Sequence, residues 1–542
     1  MKKTLLILVV LLFQYSFSKP ITETQKLAAT CKVWGFLKYY HPNVANGNFN
    51  WDDELFKVLP KVEEAKTDIE FSNVIEKWIN SLGKVKAYKT EISNEEIDYF
   101  DKNFDLSWTQ NTELFSKSLC QKLKFIEQNK IQGKQYYVEK GTEFVNEVEY
   151  EVFNDKDKNF RLLALFRFWN YVEYFFPYKY QMDQNWDLTL IEFLPRTINP
   201  VSEGDYYLAL KEFSAKLNDT HALFGANKLF NAIGWNYIPF DVKFIDNKAV
   251  VTGFKNESLS KINDIKVGDV ITKIKEKTIA DLIKENQKYV EGSNSAAILN
   301  NMEWTIFTGN STEIEFIRNG KIETKTINLY GYKDLKINYE NNSEKYKFLE
   351  NNIGYANLAV LTPDDVPAMM EQFKNSTAII FDIRNYPQGT NFAIAEYLNP
   401  EPRDFVKSID PDITSPGRYI WRKEDTPCGK INPDYYKGNV ILLVNEKSIS
   451  HSEFTAMTLK VAPKATVIGS QTAGADGRSY RFEIIKGLWT SFTTYGVFYP
   501  NKKETQRIGV VPDIEVKPTI LGIQQGRDEV LERAVLFAKN GK

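Results

Sequence analysis

Cysteine and histidine are scarce in this chain: there are three of each in 542 residues. Cys31, Cys120 and Cys428 lie far apart, have no metal-ligand spacing and are odd in number, so at most one disulfide could form and no zinc cluster is expected. Chemistry without a metal or organic cofactor is favoured. A basic surplus is also missing, since 69 Lys and Arg face 71 Asp and Glu for a net charge of −2. Nothing is left over to neutralise a phosphate backbone, which argues against nucleic acid as a partner. Long apolar runs are absent too. The run from Leu5 to Phe13 falls well short of the roughly 20 residues that span a bilayer, so no membrane span is expected.

That short run follows Lys2 and Lys3 and precedes Ser16-Phe17-Ser18, the layout of a secretory signal. Residues 1–18 are therefore expected to be a signal peptide, with a mature protein from Lys19 that is exported to the periplasm or secreted. No cysteine adjoins the cleavage position, so a lipid anchor is not indicated.

The N-terminal third contains an internal repeat. Trp34-Gly-Phe-Leu-Lys-Tyr-Tyr-His-Pro42 is similar to Trp169-Asn-Tyr-Val-Glu-Tyr-Phe-Phe-Pro177 at an offset of 135 residues. The same offset carries Trp51 onto Trp186, Pro60 onto Pro195, Phe71 onto Tyr206 and Leu82 onto Leu217 without a gap. Apolar residues at three- and four-residue spacing, as in Phe71, Val74, Ile75, Trp78, Ile79 and Leu82, predict helices in both copies. The copies end differently: Gly83-Lys84-Val85-Lys86 in the first stands against Asn218-Asp219-Thr220-His221 in the second. His221 is thus not needed to pack the helical unit. We assign residues 19–90 to copy 1, 91–158 to a connecting segment and 159–234 to copy 2.

From about Ile238 the period changes to two. Val242-Lys-Phe-Ile, Lys248-Ala-Val-Val-Thr and the run Ile265 to Ile274 read as strands of a small β-rich domain over residues 235–330. Lys266-Val-Gly-Asp-Val-Ile resembles the strand entry of PDZ domains, which capture extended chain ends along a sheet edge. Residues 331–542 then alternate buried strands with helices. Ala378-Ile-Ile-Phe-Asp-Ile leads through Arg384-Asn385 and Pro387-Gln-Gly389 to a helix at Phe392. Val440-Ile-Leu-Leu-Val444 leads through Ser448-Ile-Ser-His-Ser-Glu453 to another at Phe454. Such a pattern places functional groups at the carboxyl ends of the strands of an α/β sheet.

Ser450 sits at the second strand-to-helix turn, where a hydroxyl is presented beside helix amides that can stabilise an anion. Ser450-His-Ser-Glu453 also fits a capping box, in which the serine only caps the helix. The segment Val444-Asn-Glu-Lys-Ser-Ile-Ser-His-Ser-Glu453 resembles the signature of S41 serine peptidases, the family of tail-specific and tricorn-type proteases. Phe381-Asp-Ile-Arg-Asn-Tyr-Pro-Gln-Gly389 and Ile508-Gly-Val-Val-Pro-Asp513 resemble two further elements of that family, in the same order. The expected fold is a multidomain α+β protein: the duplicated helical region, a PDZ-like domain and, as the resemblance implies, an α/β catalytic domain of the ClpP/crotonase kind. The resemblance also implies that Ser450 is a nucleophile forming an acyl-enzyme with protein or peptide substrates.

Tail-specific members use a lysine after the nucleophile, but Ala475 occupies that position here. Tricorn-type members draw a histidine from a Ser/Thr-His pair ahead of the PDZ domain, and Thr220-His221 matches it. His221 suits the role of general base because imidazole exchanges a proton near neutral pH. His41 looks like packing and His451 adjoins the nucleophile. The resemblance places the orienting partner of the histidine at Gln506, where the family has a glutamate; Glu504 is the alternative. It implies oxyanion donors at His451 and at Gln388 or Gly389, since Pro387 has no N–H. Asp382 and Arg384 are expected to form a structural ion pair. Two other functions remain open on sequence: a peptide-binding homologue with weak or no catalysis, and an esterase-like hydrolase.

Overall fold

A computed structural model describes residues 19–88, 97–131, 134–140, 142–234, 236–336 and 343–541. The expected signal peptide lies outside the described residues. The chain divides into two compact units, one formed by residues up to 91 with those of 105–132, the other by residues 92–104 with those from 133 onward.

The first unit is helical. Its principal helices are Glu23–Tyr40, Trp51–Glu64, Asp68–Ser81 and Lys117–Gln128. The first three begin at side-chain caps, Thr22, Asn50 and Thr67, each accepting a backbone N–H of the first turn. Trp34 and Trp51 exchange hydrogen bonds, each indole N–H donating to the other's carbonyl at 3.2 and 3.1 Å. His41 is fully buried and carries no hydrogen bond on either ring nitrogen, and burial pushes its pKa down to about 4.

The helical part of the second unit repeats these features. Helices Lys158–Phe175, Trp186–Ile198 and Glu203–Ala215 start from caps Asp157, Asn185 and Ser202, each 135 residues beyond its counterpart. Trp169 and Trp186 again exchange hydrogen bonds, both at 3.1 Å. The third helix of each set is followed by a residue in the left-handed region, Gly83 at φ +90° and Asn218 at φ +51°.

Residues 91–158 prove to be more than a connecting segment. Helix Lys117–Gln128 belongs to the first unit, where the Ser116 amide donates to the Ser72 hydroxyl at 2.9 Å and the Ser116 hydroxyl to Glu76 at 2.8 Å. Tyr99–Phe100 belongs to the second unit as a strand paired with Tyr419 and Ile420. The strand is only two residues long, too short for alternation to reveal it.

In the second unit a five-strand antiparallel meander and its neighbours form the β-rich domain. The spatial order is Lys321–Asn328, Ser311–Arg318, Val270–Ile274, Lys248–Phe254 and Phe240–Ile245, with the last at an edge. The expected strand from Ile265 starts later, at Val270. Gly268 at φ +90° turns the chain first, and the Asp269 carboxylate accepts the Lys266 amide at 2.8 Å.

The catalytic-domain sheet runs Tyr346–Leu349, Ile353–Asn357, Ala378–Asp382, Asn439–Val444, Ala465–Gly469, Ile514–Glu515, parallel from the second strand onward. Alternate residues feed two cores: Ile379, Phe381, Val440 and Leu442 face one, Ala378, Ile380, Ile441 and Leu443 the other. Burial on both faces explains why these strands read as continuous apolar runs. Among the described residues no helix is long and apolar enough to cross a membrane.

Candidate active site

Strand Asn439–Val444 ends at the sheet edge, and helix His451–Lys460 starts seven residues later. Between them Ser448 is buried, its hydroxyl donating to the Ile383 carbonyl at 2.9 Å. Ser452 is buried on the helix. Of the three serines Ser450 is the one that lines a cavity, of about 420 Å3, shared with His451, Phe454, Asp476, Arg422 and Tyr495. Its backbone, at φ +55° and ψ −120°, lies outside the regions an L-residue prefers, at a cost of about 1–3 kcal/mol. A strained strand-to-helix turn of this kind presents a hydroxyl for attack.

The surroundings hold that strain. The Ser450 amide donates to the Ala475 carbonyl at 2.9 Å and to Glu453 at 3.3 Å. The Glu453 carboxylate also takes the Gly474 and Ala475 amides at 2.8 and 3.0 Å and the Thr472 hydroxyl, while burial pushes its pKa up to about 7. The carboxylate half of the capping box is therefore in use. Ala475 is fully buried in the place where the Ser-Lys design needs a lysine. Lys447 is exposed, and Lys460 is paired with Asp513. Asp476 is buried with one carboxylate oxygen unpartnered, and burial, with Glu453 nearby, raises its pKa well above the usual carboxylate range.

His221 is positioned by strand register. Leu223–Ala226 pairs antiparallel with Leu488–Thr493, with Leu223 opposite Ser491. Two residues further along the same register, His221 stands opposite Thr493. Its Nδ1 lies 2.9 Å from the Thr493 hydroxyl, and its carbonyl accepts from the Ser491 hydroxyl at 2.8 Å. Behind Thr493 sits Asp219, fully buried, which accepts the Thr493 amide at 2.7 Å, the Thr493 hydroxyl at 3.1 Å and the His221 amide at 3.1 Å. Burial lowers the His221 pKa, and the Asp219 charge opposes that shift in part.

The remaining expected site residues fall as follows. The Thr220 hydroxyl donates to the Ala473 carbonyl at 2.9 Å and its amide to the Ser293 hydroxyl at 2.8 Å. It ties the histidine segment to the loop that also holds Ser450 through Ala475. Gln506 is not hydrogen-bonded to His221. Its amide donates to Asp219 at 3.2 Å, so it braces the carboxylate rather than the imidazole. Glu504 accepts from Tyr180 at 2.7 Å, Gln181 at 3.0 Å and Lys102 at 3.2 Å, away from the histidine. Gln388 is corrected as an oxyanion donor, because its amide is already given to the Leu358 carbonyl at 3.0 Å. Gly389 stands at φ +76° with open space where a Cβ would lie. His451 heads the helix, where the first amides have no intrahelical acceptor. The Tyr386 and His451 rings stand 6.1 Å apart, which sets the loop beside the helix terminus. Asp382 and Arg384 form an ion pair at 2.6 Å, shared with Asp528 at 2.8 Å. Asp219 and Thr493 were not singled out from the sequence. An aspartate two residues before the histidine was the one available signal.

A strained serine over a cavity, backed by a helix terminus at the carboxyl end of a parallel sheet, is an arrangement compatible with a serine hydrolase. Residues 352–516 match Peptidase family S41, and residues 234–347 match a PDZ domain. The chain thus carries a family S41 peptidase domain beside a PDZ domain and is a peptidase. Among solved structures it is similar to mature CPAF complexed with lactacystin, at 15% identity over 70% of this chain and 99% of that one, TM-score 0.53. Mature CPAF itself gives 14% identity over 70% and 98%, TM-score 0.52. The photosystem II D1 C-terminal processing protease gives 17% over 68% and 98%, TM-score 0.39. At these identities the likeness to CPAF establishes the fold. No curated protein sequence matches.

Proposed function

We propose that this protein is an exported serine endopeptidase or carboxy-terminal processing peptidase, acting through a Ser450 acyl-enzyme with His221 as general base. The observation that carries this reading is the strained Ser450 turn opening onto its cavity, tied through Ala475 to the loop that Thr220 fastens beside His221. In this structure, among the described residues, no hydrogen bond joins the Ser450 hydroxyl to His221. Such contacts commonly tighten only when substrate is bound.

In the reaction, the Ser450 hydroxyl oxygen attacks the scissile carbonyl and its proton passes to the His221 imidazole. The amides of His451 and Gly389 hold the oxyanion. Collapse expels the amine, which takes the proton back from the imidazolium, and water repeats the sequence to release the acyl group. The edge strand Phe240–Ile245 supports a peptide role, since an extended chain end can add to it by backbone hydrogen bonds.

The test is labelling with a fluorophosphonate, followed by turnover of peptide and ester substrates. Modification of Ser450, abolished by Ser450→Ala, with peptide turnover is the expected result. Absence of labelling supports a binding-only protein, and ester turnover without peptide turnover supports an esterase. Because burial lowers the His221 pKa, neutral imidazole persists below the ordinary histidine range. The acid limb of the rate profile should therefore fall below about pH 6.5.

A further inference from the structure

The family signature puts a carboxylate at the position of Gln506, yet the site still contains one. We infer that Asp219, acting through the Thr493 hydroxyl, is the positioning carboxylate of His221, so that the charge of the site has moved from residue 506 to residue 219. This inference rests on the reading of Ser450 and His221 as nucleophile and base.

The direction of the hydrogen bonds follows from the groups themselves. Asp219 accepts from the Thr493 amide at 2.7 Å, the Thr493 hydroxyl at 3.1 Å, the His221 amide at 3.1 Å and the Gln506 amide at 3.2 Å. A carboxylate with four donors gives no proton back, so the Thr493 hydroxyl donates to Asp219. Having spent its one hydrogen, that oxygen can only accept from His221 Nδ1, 2.9 Å away. Nδ1 therefore carries the proton in neutral imidazole, and the lone pair is on Nε2. That is the tautomer a base needs if Nε2 is to take the serine proton. When His221 becomes imidazolium, the Nδ1 proton points along a chain that ends in a buried anion.

The strand register makes this arrangement rigid. Thr493 closes the strand Leu488–Thr493, and its own amide is held by Asp219, so its backbone is fixed beside the carboxylate that its hydroxyl meets. Gln506 has a complementary part: its amide is one of the donors to Asp219, so a neutral residue at 506 suits a carboxylate at 219.

The experiment measures 15N shifts of histidine-labelled protein together with peptide turnover, for wild type, Thr493→Val, Thr493→Ser, Asp219→Asn and His221→Ala. Wild type should show His221 protonated on Nδ1. Thr493→Val should lose that preference and lower kcat by roughly ten- to a hundredfold with KM little changed, and Thr493→Ser should restore both. Asp219→Asn should reverse the chain, favour the Nε2–H tautomer and lower kcat by at least about a hundredfold. An Nε2–H tautomer in wild type, or a Thr493→Val protein with wild-type tautomer and kcat, overturns the relay. If His221→Ala keeps wild-type turnover, it is the underlying Ser450–His221 reading that fails. If His221→Ala is inactive while Thr493→Val and Asp219→Asn are unaffected, only the relay fails. Thermal unfolding of each variant separates loss of fold from loss of tautomer.

Discussion

The two helical sets, residues 19–88 and 157–218, place side-chain caps at the same offset, share the reciprocal tryptophan hydrogen bonds and each put a left-handed residue after the third helix, Gly83 in one and Asn218 in the other. They part company just beyond that point. Lys84-Val85-Lys86 follows in one, and Asp219-Thr220-His221 in the other. The comparison separates what builds the unit from what the unit presents. We propose that the two sets arose by duplication and that only the second acquired, in three consecutive residues, the buried carboxylate, the tether and the base.

The comparison can be broken first at the tryptophans. Trp34→Ala and Trp169→Ala should each cost about 3–5 kcal/mol of unfolding free energy, because each removes a buried indole and leaves the backbone carbonyl of Trp51 or Trp186 without its donor. A denaturant titration in which one substitution is silent would show that the sets are not packed alike.

A smaller effect is expected at His41, which faces Phe176 in the alignment of the copies. Its pKa is about 4 in the fold against about 6.5 when unfolded, so its contribution is complete above pH 6.5 and is lost as pH falls toward 4. At pH 5 the loss should be about 2 kcal/mol. His41→Phe, which writes the second copy's residue into the first, should remove this dependence between pH 7 and pH 5. An unchanged pH dependence in the variant would place the effect elsewhere.

Smaller again is Gln506→Glu. From sequence, a carboxylate at 506 should strengthen the site. With the Gln506 amide donating to Asp219 at 3.2 Å, the substitution instead sets two buried carboxylates against each other. Turnover should fall on the order of tenfold. A rise would mean that residue 506, not residue 219, orients the base.

Much of this architecture was legible because it is local. Apolar spacing announced the helices, Trp34 and Trp169 announced the repeat, and buried runs such as Val440 to Val444 announced the sheet. Ser450 was legible because a strand, a turn and a helix start lie within a few residues. Thr493 was not, because it meets His221 through a strand pairing that spans more than half the chain. Gln388 was misjudged for a similar reason: its loop position was visible, but the hydrogen bond of its amide to Leu358 depends on how the loop folds back. Residues 91–158 hid a helix that serves one unit and a strand that serves the other; the strand, Tyr99–Phe100, is too short to alternate, and its partners Tyr419 and Ile420 lie far along the chain.

The most direct test is the kcat/KM of His221→Ala on a peptide substrate, read beside its thermal unfolding. The first helical set is built without a histidine at the equivalent position, so the fold should be intact and the unfolding temperature unchanged. Turnover should fall by about a hundred- to ten-thousandfold, the contribution of a general base. Wild-type turnover in His221→Ala would contradict the account, whatever the geometry around Thr493 and Asp219.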